Sequence, residues 1–106
     1  MKHIIMYESY QNKTESPKPG DYVICQDSIE NIRLNNFINN NIGQIIKHSK
    51  PGGYVICKYN NIPKDILRFF KHSSPNSILM SINEIKYWSP NKKELETILL
   101  SKKFNI

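Results

Sequence analysis

The sequence predicts an α+β fold, mainly β, built as a small antiparallel barrel or curled sheet with a C-terminal helix packed on it. Two observations carry that expectation. The first is a near-duplicate, Lys18-Pro19-Gly20-Asp21-Tyr22-Val23-Ile24-Cys25 and Lys50-Pro51-Gly52-Gly53-Tyr54-Val55-Ile56-Cys57. In each copy Pro restricts φ, Gly accepts positive φ, and Tyr-Val-Ile-Cys supplies aromatic and β-branched side chains that suit a pleated, half-buried surface. The second is the stretch after Ser89, where Leu95, Ile98 and Leu99 recur at helical spacing. A chain of 106 residues has room for one domain, 1–106, and one modest core.

Residues 1–17 mix the apolar Ile4-Ile5-Met6 with a polar run from Gln11 to Ser16, and read as a loose N-terminal arm or an edge strand. The β core is expected over 19–88. Its first strand, from about Asp21 to Gln26, sends Tyr22 and Ile24 to one face and Val23 and Cys25 to the other. Ile29, Ile32, Leu34, Phe37 and Ile38 follow at roughly helical spacing, which predicts a short helix or pair of turns between Asp27 and Asn41, closed by Asn39-Asn40-Asn41. A strand from Ile42 to Lys47 and one from Tyr54 to Tyr59 are joined by a short polar turn, as an antiparallel hairpin requires. Lys64 to Lys71, after Pro63, is expected to form a helical turn, and Asn83 to Trp88 the last strand. Ser89 is the expected N-cap of the C-terminal helix, 89–103, with Pro90 at its first position and Lys102 and Lys103 complementing the dipole of its last turn.

Lys, Asn and Ile are abundant, Arg is scarce and Ala is absent, a bias that points to an A/T-rich source genome such as that of a low-GC bacterium, a phage or a large DNA virus. Neither a signal peptide nor a run of about 18 apolar residues is recognisable, so a soluble, cytoplasmic protein without membrane contact is expected, in the host cytoplasm if the source is a phage or virus. Cys25 and Cys57 occupy equivalent strand positions and read as buried free thiols. A disulfide between neighbouring strands is the alternative, and a zinc site with His48 or His72 lacks ligand spacing. No cofactor is expected.

The order Gly20-Asp21-Tyr22-Val23-Ile24, a long excursion, Asn41-Ile42-Gly43-Gln44-Ile45-Ile46-Lys47 and a tight hairpin into Tyr54-Val55-Ile56 resembles the small SH3-like barrels, especially their KOW-type members, over roughly Pro19 to Tyr59. The chain as a whole also resembles the small proteins of phages and other low-GC mobile elements, ending in Glu84-Ile85-Lys86-Tyr87-Trp88-Ser89 and Lys102-Lys103-Phe104-Asn105-Ile106. The first resemblance implies a barrel that binds RNA, DNA, ribosomal components, peptides or other proteins, and the second implies no defined activity.

Charge is unevenly placed. The net charge is +6, and residues 33–72 carry Arg33, Lys47, Lys50, Lys58, Lys64, Arg68 and Lys71 against Asp65 alone. The same segment holds Tyr54, Tyr59, Phe69 and Phe70, and aromatic rings among cations are what phosphate neutralisation and base stacking need. Lys47, Lys50, Lys58, Lys64, Arg68 and Lys71, with Tyr54 or Tyr59 as stacking groups, are therefore the candidate nucleic-acid or partner-binding residues. Part of this Lys excess follows from codon bias, and a solvated basic face is the competing reading. Tyr87 and Trp88 are candidates for a protein interface or for packing at the helix seam.

No Gly-rich phosphate loop, His-Glu-x-x-His or Gly-x-Ser-x-Gly is present, and His3, His48 and His72 are scattered, so a non-enzymatic protein is expected. Three functional classes follow: a module binding nucleic acid or nucleoprotein, a phage-type effector that inhibits a host protein or defence complex by occupying its surface, and an assembly protein that oligomerises through strand edges. The sequence leaves the oligomeric state open.

Overall fold

The turn before the first strand is stitched to the sheet on both sides. Gly20 adopts φ +97°, and the buried Asp21 carboxylate accepts the Lys18 N–H at 3.1 Å. Gly20 N–H donates to the Ile45 carbonyl at 2.9 Å and Ile45 N–H to the Asp21 carbonyl at 2.9 Å, which fixes the register. In the computed structural model, residues 16–26, 31–49 and 52–104 are described. They run β1 (Tyr22–Cys25), α1 (Ile32–Asn40), β2 (Gly43–Ser49), β3 (Tyr54–Lys58), the 3-10 segment η1 (Lys64–Phe69), β4 (Ser77–Ser81), the 3-10 segment η2 (Ile82–Glu84), β5 (Ile85–Ser89) and α2 (Lys92–Phe104). The expectation for 1–17 lies outside the described residues except for Ser16 and the buried Pro17.

The five strands form one antiparallel sheet in the order β4-β3-β2-β1-β5, so the fold is α+β and the sheet is not closed into a barrel. Of the two expected forms, the curled sheet is the one adopted. Its edges, β4 and β5, are joined only by η2. Four strand spacings, about 19 Å, separate the edges of a flat five-stranded sheet, whereas three 3-10 residues advance only about 6 Å, so the sheet must bend back strongly.

The outer edge of β4 is partly in use. Ser77 N–H donates to the Phe70 carbonyl at 3.1 Å and its carbonyl accepts from His72 N–H at 3.0 Å, while the Ser81 N–H is taken by the Glu84 carboxylate at 3.0 Å. Alternation then leaves Leu79 N–H as the edge donor of β4 with no partner among the described residues.

The expected last strand, Asn83 to Trp88, forms as β5 from Ile85, and ahead of it lies a further strand, β4, that the sequence reading did not place. Ser81 and Glu84 form a capping box, with the Ser81 hydroxyl accepting from Asn83 N–H at 3.2 Å, and this tight turn divides β4 from β5. The helix expected from Pro90 starts later for a related reason: Ser89 is held in β5 opposite Tyr22, so Asn91 takes over as cap and accepts the Lys93 N–H at 3.0 Å. Ser89 supports that cap, accepting Asn91 N–H at 2.9 Å and donating to Glu94 at 2.6 Å. In α1 the Asn31 side chain accepts Leu34 N–H at 3.0 Å, and Leu34 and Ile38 are buried; the helix is shorter than expected and ends within the Asn run. Residues 27–30 lie outside the described set.

The two faces of the sheet are covered differently. On the inner face Val23, Cys25, Ile45, Val55, Cys57, Met80, Ile85 and Trp88 pack with Leu34 and Ile38 of α1, Ile66 of η1, Tyr59 and Phe70. On the outer face α2 lies against β5 and β1, and Ile24 and Leu95 are buried outside the main cluster. No described helix is long and apolar enough to cross a membrane.

Candidate binding face

Alternation along β3 sends Val55 and Cys57 into the core and Tyr54, Ile56 and Lys58 to the outer face. The ladders set Tyr54 between Ser49 and Ser81, Ile56 between Lys47 and Leu79, and Lys58 between Gln44 and Ser77. A register shift between Ile45 and Lys47 inserts Ile46, so that Ile46 and Lys47 together oppose Ile56 and both are exposed. Ile46 (41% exposed), Tyr54 (45%) and Leu79 (37%) thus share the half of the outer face that α2 leaves uncovered, with Ile56 buried at its centre.

Two of the expected cations belong to the same face. Lys47 is the diagonal neighbour of both Tyr54 and Lys58, at a spacing of about 7–8 Å. Beyond Lys58, a notch of about 190 Å³ lined by Tyr22, Gln44, Asn60 and Lys92 continues the surface toward the start of α2. It adds Lys92, which the sequence reading did not single out. None of β2, β3 and β4 carries a carboxylate.

The other candidates are distributed elsewhere. Lys71 is exposed and bridges to Ser77, at the rim of the face. Lys64 and Arg68 are exposed on η1, where Arg68 lies 4.6 Å over the Phe69 ring and donates to the Asp65 carbonyl at 2.8 Å. Asp65 is occupied by Arg33, whose Nε donates to its carboxylate at 2.6 Å; this contact raises the Arg33 pKa and holds Asp65 below the usual carboxylate range. Lys50 lies outside the described residues. Tyr87 is half-buried, with Lys86 Nζ 5.9 Å from its ring.

Two candidates require correction. Tyr59 is 1% exposed and cannot stack on a partner. Its ring crosses β2 at Gly43, where a Cβ would fall 2.5 Å from Tyr59 Cζ, and it packs with Phe37 and Phe70 at centroid distances of 5.7 and 5.6 Å. Trp88 is 3% exposed, being part of the inner core, and is no interface anchor. The burial of Tyr59 depends on a glycine in another strand, which the local sequence does not announce.

Tyr59 ends beside two thiols. Cys25 and Cys57 are both free and fully buried, as expected, and no hydrogen bond of ordinary geometry reaches the Tyr59 hydroxyl. Contact with the Cys57 thiol, together with burial, pushes the Cys25 thiol well up, and burial followed by the charge of Cys25 does the same to Tyr59. A thiol held as protonated and as enclosed as Cys25 is a poor nucleophile, and Cys57 is equally enclosed. Among the described residues no group of three or more His, Cys, Asp or Glu side chains is placed to hold a metal ion. Neither a family model nor a curated protein nor a solved structure matches the chain.

Proposed function

We propose that the protein is a non-enzymatic binding module that contacts nucleic acid or a nucleoprotein through the open half of its sheet. The observation that carries this reading is the line of Lys47, Lys58 and Lys92 that begins beside the exposed Tyr54, on a face whose strands β2, β3 and β4 lack carboxylates. Phosphate neutralisation by lysines and stacking on an aromatic ring are the two interactions such a ligand needs. Binding of mixed-sequence oligonucleotides, followed by fluorescence anisotropy, is expected at about 50 mM salt and to weaken log-linearly as salt rises. Absence of binding to single-stranded and duplex probes alike at that salt overturns the reading.

The apolar side chains Ile46 and Leu79 favour one alternative, a phage-type effector that occupies the surface of a host protein. A lysate protein that stays bound after nuclease treatment and is lost with Tyr54→Ala supports it. Assembly through β4 finds less support, because three of its outward backbone groups, the N–H and C=O of Ser77 and the N–H of Ser81, are already hydrogen-bonded.

A further inference from the structure

Resting on the nucleic-acid reading, we infer that the ligand is single-stranded and that Tyr54 is its stacking platform, with Lys47, Lys58 and Lys92 on the flanking phosphates. The neighbours of Tyr54 make the first point. Directly across the ladders on either side stand Ser49 and Ser81, two small residues that leave the ring free of bulky neighbours along the rows of the sheet. A larger side chain at either position would lie about 5 Å away and compete with a base for the ring.

The second point is the apolar surface beside it. Ile46 and Leu79 lie on the same face, one on each side of Ile56 across the strands, and neither gains anything from a charged phosphate backbone. A duplex presents that backbone and keeps the faces of its bases stacked inside. A single strand can turn base faces onto Tyr54 and the aliphatic surface while its phosphates reach the lysines.

Charge complementarity gives the third point. Lys47 is diagonal to Tyr54, Lys58 is diagonal to Lys47, and Lys92 shares the notch with Lys58, so the cations form a line running away from the ring along one side. None of β2, β3 and β4 carries a carboxylate that would repel a polyanion.

The test uses the full chain with fluorescein-labelled dT12 and a 12-base-pair duplex of mixed sequence, measured by anisotropy across a salt series. The single strand is expected to bind at least tenfold more tightly, with a log–log salt slope near −2, about −0.7 for each of three phosphates. Tyr54→Ala is expected to weaken dT12 binding by roughly 5- to 150-fold at unchanged slope, and Tyr54→Phe to retain affinity. Lys58→Ala is expected to reduce the slope by about 0.7. Thermal melts check that each variant remains folded. Equal or tighter binding of the duplex overturns the single-strand inference and leaves the nucleic-acid reading standing, as does wild-type affinity in Tyr54→Ala. Failure of both probes to bind overturns both.

Discussion

The two copies of Tyr-Val-Ile-Cys are the same four letters in two different settings. Val23 and Val55 are both fully buried, as are Cys25 and Cys57, so the inward half of each copy meets the same demand. The outward half differs at the tyrosine. Ile24 and Ile56 are both buried, but Tyr22 is half-buried on the face where α2 packs, whereas Tyr54 is 45% exposed and its neighbour across β4 is a serine. A strand's own sequence therefore decides which side chains face the core, while a distant helix decides which outer surface is left for a partner. The first copy buries all but part of one tyrosine, and the second leaves its tyrosine exposed.

The largest effect that sharpens this contrast is expected at the helix. Leu95, 1% exposed in the seam of α2, should cost about 2–5 kcal/mol when replaced by Ala, read from chemical denaturation. Next comes Gly43→Ala, where the new methyl would meet the Tyr59 ring held between Phe37 and Phe70. Overpacking of this kind costs about 1–3 kcal/mol.

A pH titration probes what the two copies share. Cys25 and Tyr59 are raised in the folded state from ordinary values of 9.0 and 10.0, so the unfolded chain loses these protons first. Their contribution to stability is complete below those values and is lost as pH rises above them, by at most about 1.4 kcal/mol per pH unit for each group. Denaturation midpoints should accordingly fall above about pH 9, less steeply in Tyr59→Phe, and a flat profile to pH 11 would refute this. The smallest effect closes the comparison: Leu79→Ala on the open face should change stability by no more than about 0.5 kcal/mol.

Much of this architecture was legible locally. The Pro-Gly turns, the hairpin and the apolar spacing of the C-terminal helix each follow from residues close together in the chain. The capping box Ser81-Ile82-Asn83-Glu84 was equally local, and reading it would have divided β4 from β5. What could not be read depends on partners far apart in sequence. Tyr59 is hidden because Gly43 has no side chain, Arg33 leaves the basic count because it meets Asp65, and Ile46 and Leu79 become neighbours of Lys47 and Ile56 only through the bulge and the β3–β4 register. Charge counting picks out a stretch of chain, and pairing across the sheet decides which of its side chains share a face.

The pairing of β1 with β5 also sets a timetable for biosynthesis. The first described strand must find the last, since Tyr22 pairs with Ser89 and Val23 with Trp88. At a translation rate of roughly 5–20 residues per second, several seconds pass between the emergence of the two strands from the ribosome. Throughout that interval one edge of β1 has no neighbour and Cys25 lacks the enclosure it has in the finished molecule. The nascent chain, rather than the folded protein, is where the Cys25 thiol and that edge of β1 are accessible.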